Sequence, residues 1–257
     1  MQKPMPKDNF ITQYPLALVT GSAHRVGKSL AMNLAEQGYG IIVHYHGSRN
    51  EAMETVKEIQ SLGVPAFSIQ ADLTAEAGIR SLFSFIDSII EKPELNTCEF
   101  SLLVNSAAIM VPADPKSISM ELFDAAINLN LRAPFFCAQM GYQRMPAGSS
   151  IINISDVGSQ KAWSGFPAYT ISKAGLDSMT KILARSFAPK VRVNAIAPGF
   201  VLPPDEFPIS EWDRLLGKLP IPREATLLEI ESALNFLIKN EYITGQTIVI
   251  DGGYSLV

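Results

Sequence analysis

Seven short apolar runs alternate with longer segments of helical spacing, and this alternation limits the folds open to the chain. β-Rich runs separated by helices predict βαβ units, and therefore a parallel sheet with helices on both faces. Runs that are apolar throughout, such as Ile41–Val43, indicate strands that are buried on both faces. The seven predicted strands are Leu16–Val19, Gly40–Tyr45, Ala66–Gln70, Phe100–Val104, Ser150–Ile154, Val191–Ile196 and Thr247–Ile250.

The segments between these runs carry apolar residues at helical intervals, and some of them end at a glycine. Gly38 follows the first segment and Gly63 the second, as is typical of helix ends. Hydrophobic residues make up 47% of the 257 residues, which is enough for a large core, and the length fits either one large α/β domain or two small ones. The predicted helices are Val26–Gln37, Ala52–Leu62, 75–91, 117–144, 167–187 and 226–238.

Three segments interrupt this alternation. Residues 1–14 are expected to form a flexible N-terminus, and residues 92–98 a surface loop. Residues 198–222 hold six of the 17 prolines together with Phe200 and Trp212. Such a segment is too irregular for a sheet crossover and too apolar for a linker, so we interpret it as a substrate loop. A packed surface excursion is the alternative.

Composition excludes several classes of function. A net charge of −4 gives no basic face for nucleic acid. No window approaches about 18 uninterrupted apolar residues, so no membrane span is expected. Met1–Tyr14 has neither signal-peptide nor transit-peptide character, which favours a cytoplasmic protein. Cys98 and Cys137 are too few for a disulfide framework or a structural zinc site.

A glycine-containing loop joins the first strand to the first helix. It runs from Thr20 to Gly27, with Arg25 and Val26 near its end. Gly21 permits a tight turn and Gly27 permits close packing of helix on strand, so that free N–H groups at the helix start face a phosphate. An ordinary βα turn is the alternative interpretation of the same residues.

The end of the second strand suggests which dinucleotide binds. NAD specificity usually places a carboxylate there, but this chain has Tyr45, His46, Gly47, Ser48 and Arg49, with no acid before Glu51. Arg, His and Ser donate to a 2′-phosphate, so we predict NADP(H), bound by a local positive site that includes Arg25 and the histidines His24, His44 and His46. Two histidines without a nearby carboxylate or Cys make a poor metal site, and no metal is predicted.

Two further strand ends supply candidate cofactor contacts. Asp72 and Leu73 follow the third strand, where Asp72 is expected to cap the next helix, to hydrogen-bond the adenine, or both. Asn105, Ser106 and Ala107 follow the fourth strand, and small residues there allow a ligand to approach closely.

A candidate reaction centre lies in the second half of the chain. Tyr169 and Lys173 stand at i and i+4, on one face of a predicted helix. A nearby ammonium stabilises a phenolate and is expected to lower the pKa of Tyr169. Asp156 stands 13 residues before Tyr169, at the carboxyl end of a strand, where open α/β sheets bind ligands. Asn130 lies inside a long helical segment, as a kink device or as part of a proton relay.

Together these residues closely resemble the short-chain dehydrogenase/reductase family, from Pro15 to the C-terminus. The resemblance implies a single domain over residues 1–257, built on a Rossmann-type, doubly wound, seven-stranded parallel sheet, and a homotetramer. It implies that Tyr169 is the proton donor, that Lys173 binds the nicotinamide ribose, and that Asn130 holds a relay water. It is carried by Thr20–Gly27, Asp72, Asn105–Ala108, Asn130, Tyr169, Lys173, Val193–Gly199 and Tyr242–Gly253, with Pro198 and Gly199 expected to face the nicotinamide.

One departure from the family pattern is informative. Most members have Ser at the position of Asp156, where a hydroxyl stabilises a substrate carbonyl. A carboxyl group suits a substrate that presents N–H groups or needs a second proton. This substitution, with Arg25 in the glycine loop, resembles the pteridine reductase branch, which reduces C=N bonds of pterins and folates.

A second departure concerns the aromatic residue with which pteridine reductases stack the pterin. Counting from Asn105, its position is held by Met110, which covers a ring less specifically. Phe200 or Trp212 from the 198–222 segment would substitute, and Arg25 is assigned to substrate as well as cofactor.

The sequence therefore predicts an NADPH-dependent reductase of a pterin-like heterocycle, with Asp156, Tyr169, Lys173 and Asn130 as catalytic residues. The alternative is a carbonyl reductase acting on 3-oxoacyl-carrier-protein or xenobiotic ketones, in which Ser155, beside Asp156, contacts the substrate. A non-catalytic NADP(H) sensor is the third hypothesis, and the retained Asn130, Tyr169 and Lys173 argue against it. The expected partner is a small-molecule substrate.

Overall fold

A computed structural model describes residues 14–91, 98–204 and 207–257, and its strands form one parallel sheet. The sheet has seven strands in the order β3-β2-β1-β4-β5-β6-β7, which confirms the predicted fold class. The strands are β1 Pro15–Val19, β2 Gly40–Tyr45, β3 Ala66–Gln70, β4 Glu99–Asn105, β5 Ser149–Ile154, β6 Val191–Pro198 and β7 Thr247–Ile250.

Helices connect the strands and cover both faces of the sheet. They are α1 Arg25–Glu36, α2 Arg49–Ser61, α3 Glu76–Ile90, α4 Met120–Ile127, α5 Ala133–Arg144, α6 Pro167–Phe187, α7 Ile209–Leu216 and α8 Leu227–Lys239. One apolar cluster contains buried residues of α1, α2 and α8, such as Leu34, Ile59 and Leu234. A second contains buried residues of α3, α5 and α6, such as Phe83 and Leu183. Each face thus has its own core.

The strand order places a crevice at the carboxyl edge of the sheet. The chain builds outward from β1 to β3 and then returns to the other side of β1, where β4 pairs with it. The loops after β1 and β4 therefore diverge, which is where doubly wound sheets bind ligands.

Two predicted segments differ from the structure. The predicted helix 117–144 is divided into α4 and α5 by a π-helical segment, Asn128–Arg132. The 198–222 segment is only partly a loop, because it contains α7, whose Trp212 is buried. Residues 1–13 of the expected flexible N-terminus and residues 92–97 of the expected surface loop lie outside the described residues.

Across the part of the chain that the structure describes, no helix combines the length and apolar character needed to cross a membrane.

Candidate active site

A cleft of about 650 Å³ opens at the carboxyl edge of the sheet. It brings together residues that are far apart in sequence: the β1–α1 loop, the ends of β2, β3 and β4, the turn after β5, and the start of the 198–222 segment. Its lining includes these predicted residues: Gly21, Arg25, Val26, Gly27, Tyr45, His46, Gly47, Ser48, Asp72, Leu73, Ser106, Ala107, Asp156, Tyr169, Lys173, Pro198 and Gly199.

Two glycines shape the first loop because a side chain has no room at either position. Gly21 has a φ of +66°, and a Cβ added there would lie 2.8 Å from the Ala107 Cα. A Cβ on Gly27 would lie 2.2 Å from the Gly21 carbonyl oxygen. Both neighbours are backbone atoms, so they cannot move aside as a side chain would. The loop therefore packs directly on its own helix and on the loop after β4.

Hydrogen bonds made by the side chains of Thr20 and His44 hold this loop in place. Thr20 Oγ1 accepts from the backbone N–H groups of Ser106 and Ala107, at 3.0 and 3.1 Å. The Gly21 N–H donates to His44 Nδ1 at 3.0 Å, and His44 Nε2 lies 3.1 Å from the Ala71 carbonyl oxygen. Because Nδ1 accepts a hydrogen bond, Nε2 carries the ring hydrogen and donates to the Ala71 carbonyl oxygen.

The prediction that His44 joins a positive site is wrong. Burial lowers the pKa of His44 to about 4, although the hydrogen bond to Ala71 opposes this effect. The ring is therefore neutral at pH 7, and from β2 it joins the loop after β1 to the loop after β3 instead of meeting a phosphate. His46, in contrast, is exposed, and Ser48 makes no capping hydrogen bond at the start of α2.

Asp72 binds its own loop. Its Oδ1 accepts from the Thr74 N–H at 2.9 Å and from the Thr74 hydroxyl at 2.6 Å. These hydrogen bonds, the hydroxyl first, hold the pKa of Asp72 below its usual range. The N-cap of α3 is Ala75, so the expectation that Asp72 caps the helix is wrong. The carboxylate instead closes a short turn between Asp72 and Thr74.

Arg25 extends from the glycine loop to the 198–222 segment. Its guanidinium donates to the carbonyl oxygens of Leu202, at 3.4 Å, and Pro203, at 2.8 Å. Its φ of +54° is in the left-handed region, which non-glycine residues rarely adopt. Arg25 thus links the loop expected to hold phosphate with the segment expected to hold substrate.

Asp156 and Tyr169 form a direct hydrogen bond. The Tyr169 hydroxyl donates to Asp156 Oδ2 at 2.8 Å, and the Gly158 N–H donates to Asp156 Oδ1 at 2.6 Å. Asp156 caps a 3₁₀ turn, Val157–Gln160, just beyond β5. Burial raises the pKa of Asp156 and outweighs the hydrogen bonds that oppose it. Burial therefore makes Asp156 easier to protonate than an exposed carboxyl group.

Lys173 lies one helical turn beyond Tyr169 and is buried. Its Nζ donates to the Ile154 carbonyl oxygen at 2.7 Å and lies 5.6 Å from the centre of the Tyr169 ring. Burial lowers the pKa of Lys173 to about 8, although Asp156 and Asp177 oppose this shift. Burial and the Asp156 carboxylate raise the pKa of Tyr169 well above its usual range. The expectation that Lys173 lowers the pKa of Tyr169 is therefore not met in this structure.

The π-helical segment carries Asn130, which is buried behind the cleft. Its Oδ1 accepts from the Ile109 N–H at 2.9 Å, and its Nδ2 donates to the Ile109 carbonyl oxygen at 2.8 Å and to Ser172 Oγ at 3.1 Å. π-Helical turns inside α-helices frequently mark functional sites. Asn130 joins the β4 loop to α6, and its role with a relay water stays a prediction.

Four other predicted residues do not line the cleft. Asn105 is buried, and its Nδ2 donates to Asn153 Oδ1 at 2.9 Å. The Phe200 and Trp212 rings meet edge to face, with centres 5.0 Å apart, and Trp212 Nε1 donates to Glu224 at 3.1 Å. The Phe200 and Trp212 rings thus pack against each other. Met110, the fourth residue, is 39% exposed.

Ser155 is a site residue that the sequence indicated only as an alternative to Asp156. It lines the cleft and is 3% exposed, and among the described residues its hydroxyl has no hydrogen-bond partner. The turn presents Asp156, and not Ser155, to Tyr169. A buried hydroxyl in a ligand cleft without a protein partner suits a bound polar group.

A doubly wound sheet with a phenol, an ammonium and a carboxyl group at its carboxyl edge defines a Rossmann-type oxidoreductase. The family model described as enoyl-(acyl carrier protein) reductase matches residues 21–255. The chain belongs to this family, within the short-chain dehydrogenases/reductases, which confirms the resemblance found in its sequence.

Several known proteins are similar to this chain over almost its whole length. The 3-oxoacyl-[acyl-carrier-protein] reductase FabG of Staphylococcus aureus (strain Mu50) is 33% identical over 92% of this chain and 96% of its own. FolM alternative dihydrofolate reductase 1 from Brucella canis, solved in complex with NADP, has a TM-score of 0.88 and 31% identity, with 96% of each chain covered. Landomycin C-6 ketoreductase LanV, solved with NADP and rabelomycin, has a TM-score of 0.85 and 28% identity, covering 95% of this chain and 97% of its own.

Proposed function

We propose that the protein is an NADPH-dependent reductase that adds hydride to a C=N bond of a pterin- or folate-like heterocycle. The observation that carries this proposal is the hydrogen bond from Tyr169 to Asp156, a partly buried carboxyl group with a raised pKa. A ring nitrogen that gains hydride on its neighbouring carbon needs a proton, and a protonated carboxyl group beside a phenol supplies one.

The cleft fits a dinucleotide with a 2′-phosphate. Gly21 and Gly27 keep side chains out of the loop at the start of α1, where a pyrophosphate would meet free N–H groups. The buried Ser155 hydroxyl has no hydrogen-bond partner among the described residues, so it can offer a hydrogen bond to a ligand inside the cleft. The cleft wall at the end of β2 has Tyr45, His46, Gly47 and Ser48 and no carboxylate. Bound there, NADPH supplies the hydride, and the similar FolM and LanV structures contain NADP.

The side chains of Asp156, Tyr169 and Lys173 control the delivery of the proton. In the structure the Tyr169 hydroxyl donates to Asp156, so an ionised Asp156 keeps the phenolic proton away from substrate. When Asp156 is protonated, its carboxyl group can donate a proton toward the substrate nitrogen. The Tyr169 hydroxyl, no longer held by an ionised Asp156, can then donate its own proton. The Lys173 ammonium is anchored on the Ile154 carbonyl oxygen and keeps a positive charge beside the pair.

Carbonyl reduction is the second candidate, and two observations favour it. FabG and LanV, whose names give 3-oxoacyl and ketone substrates, are 33% and 28% identical to this chain, and FolM is 31% identical. In addition, a neutral Asp156 donates a hydrogen bond to a carbonyl oxygen without the repulsion that an ionised one exerts.

Steady-state assays with NADPH and either dihydrobiopterin, dihydrofolate or a 3-oxoacyl thioester separate these candidates. We expect turnover of a dihydropterin and its loss in Asp156→Ser. Turnover of the thioester alone, retained or increased in Asp156→Ser, would replace the pterin proposal with carbonyl reduction. Absence of turnover with all substrates, together with NADPH binding that survives in Tyr169→Phe, would favour a sensor.

We also propose that the protein is a homotetramer. Ile171 and Ile182 are about half exposed and lie three helical turns apart on α6, and Phe136 on α5 is 37% exposed. A separate apolar patch includes Leu228 and Phe236 on α8, beside the edge strand β7. If each patch meets the same patch of another copy, the two patches give two two-fold interfaces, as a tetramer requires. Light scattering should show a tetramer that Ile182→Lys reduces to dimers, and a monomeric wild type would contradict this proposal.

A further inference from the structure

A second carboxyl group, that of Asp177, lies behind the Asp156–Tyr169 pair and on the same helix as Tyr169. Asp177 follows Lys173 by four residues and Tyr169 by eight, so the three side chains share one face of α6. Asp177 is half-buried, and its Oδ2 accepts a hydrogen bond from Ser159 Oγ at 2.6 Å. Its Oδ1 accepts a longer one from Thr247 Oγ1, at 3.4 Å.

Asp177 thereby holds the 3₁₀ turn that carries Asp156. Asp156 begins this turn, its side chain accepts from the Gly158 N–H, and its carbonyl oxygen accepts from the Ser159 N–H at 3.0 Å. The Ser159 side chain then reaches across to Asp177 on α6. Because α6 also carries Tyr169 and Lys173, this contact fixes Asp156 relative to both.

The charge of Asp177 acts on the same groups. Its carboxylate adds to burial in raising the pKa of Asp156, and it opposes the effect of burial on the pKa of Lys173. The groups that act on the pKa of Asp156 from α6 are Tyr169, Lys173 and Asp177. The turn Val157–Gln160 and strand β7 carry no charged side chain.

Charged residues on the neighbouring elements are directed elsewhere. Glu121 and Asp124 of α4 are exposed, and Arg132 of the π-helical segment donates to the Thr74 carbonyl oxygen at 3.1 Å. Arg144 of α5 pairs with Asp87, and Arg192 of β6 donates to the Leu237 carbonyl oxygen at 2.8 Å.

We propose that Asp177 is a positioning residue for proton transfer: through Ser159 it holds the turn that presents Asp156 to Tyr169, and it places a second carboxylate behind that pair. This role deepens the proposed reductase function and rests on it for its catalytic meaning. The contact between Asp177 and Asp156 is indirect, through Ser159 and through space, so Asp177 is not itself expected to touch substrate.

The test is a titration of Asp156 that needs no substrate. ¹³C-aspartate NMR across the pH range follows each carboxyl group, and the resonance lost in Asp156→Asn identifies Asp156. We expect the Asp156 midpoint to move to lower pH in Asp177→Asn, because the amide keeps the size and an acceptor but removes the charge. Asp177→Glu should restore the wild-type midpoint, and Asp124→Asn, which removes an exposed carboxylate from α4, should leave it unchanged.

A second variant separates the charge from the contact. Ser159→Ala releases the Asp177 carboxylate without altering any charge, and we expect a smaller midpoint shift in the same direction. If Asp177→Asn does not fold, the Ser159→Ala shift decides alone. An unchanged Asp156 midpoint in whichever of these variants folds would overturn the proposal, even if the melting temperature fell, since a purely structural role would produce that result.

Activity provides the catalytic half of the test. In Asp177→Asn the pH at which kcat with dihydropterin begins to fall should move down with the Asp156 midpoint, at little change in KM for NADPH. If the wild type reduces no dihydropterin, the proposed function fails, while the NMR titration still decides whether Asp177 controls Asp156. A shifted midpoint with an unshifted kcat profile would refute the catalytic role of Asp177.

Discussion

The cleft has two ends that are built in different ways. The cofactor end consists of the loops after β1, β2 and β3, and backbone atoms shape it: Gly21 and Gly27 leave no room for side chains, and the Thr20 hydroxyl binds backbone N–H groups. The proton-transfer end consists of Asp156, Tyr169 and Lys173, and contacts between side chains from separate elements shape it. The difference teaches that one end depends on space and the other on charge, so substitutions at each should affect different kinetic constants.

The largest effect is expected from Tyr169→Phe, which removes the phenolic proton and keeps the ring. We expect kcat to fall by about 10²- to 10⁴-fold, the usual contribution of a general acid. Because the cofactor end does not depend on this hydroxyl, the Kd for NADPH, measured by fluorescence titration, should stay within about threefold of the wild type. A matching loss of NADPH affinity would show that the two ends are not independent.

The converse effect is expected from Gly27→Ala. The new Cβ would lie 2.2 Å from the Gly21 carbonyl oxygen, so the loop must move. We expect a loss of about 1–3 kcal/mol in the free energy of unfolding, as for overpacked sites, and weaker binding of NADPH with kcat at saturation little changed. Urea denaturation and NADPH titration measure both quantities.

Gly165→Ala is the matched control, since a Cβ there meets no atom within 4 Å. If Gly27→Ala lowered kcat but left NADPH affinity intact, the assignment of this loop to the cofactor would be wrong.

At both ends the sequence predicted the strands and the main site residues, but not the contacts between distant elements. Strand ends were placed within a residue or two, because runs buried on both faces have an unmistakable apolar pattern. The glycine loop and the Asp156, Tyr169 and Lys173 set followed from short local patterns. The π-helical segment around Asn130 did not, since its apolar spacing also fits an α-helix. The roles of His44, Ser155 and Asp177 depend on burial and on contacts between distant elements, which no local pattern encodes.

His44 offers a prediction of intermediate size, because it holds the cofactor end through a neutral ring. The pKa of His44 is lowered from 6.5 to about 4 in the folded protein. Between these values the unfolded chain binds a proton that the folded chain does not, so stability is full above pH 6.5 and falls as pH decreases toward 4. The difference amounts to about 3 kcal/mol.

Comparison of urea denaturation at pH 7 and pH 4.5 measures this effect, with His44→Asn as the variant. Asn cannot be protonated in this range, so the loss of stability between the two pH values should be smaller in His44→Asn than in the wild type. At pH 7 we also expect the KM of His44→Asn for NADPH to be about tenfold higher than that of the wild type, since the Gly21 N–H loses its His44 partner. Equal pH dependence in the two proteins would show that His44 titrates normally, in contrast with a buried neutral ring.

The smallest and most discriminating effect is expected from Arg25→Ala, because Arg25 links the cofactor end to the 198–222 segment, which is expected to hold substrate. Its guanidinium joins the glycine loop to the carbonyl oxygens of Leu202 and Pro203. Arg25 is exposed, so each hydrogen bond contributes at most about 1 kcal/mol, and a several-fold change is expected. If the link matters, KM should rise for both NADPH and substrate, with kcat nearly unchanged. Arg25→Lys should recover part of the NADPH effect through its charge, but little of the substrate effect, since a single ammonium matches the two carbonyls poorly. A rise in KM for NADPH alone would assign Arg25 to the cofactor end, and the two ends would then share no side chain at this position.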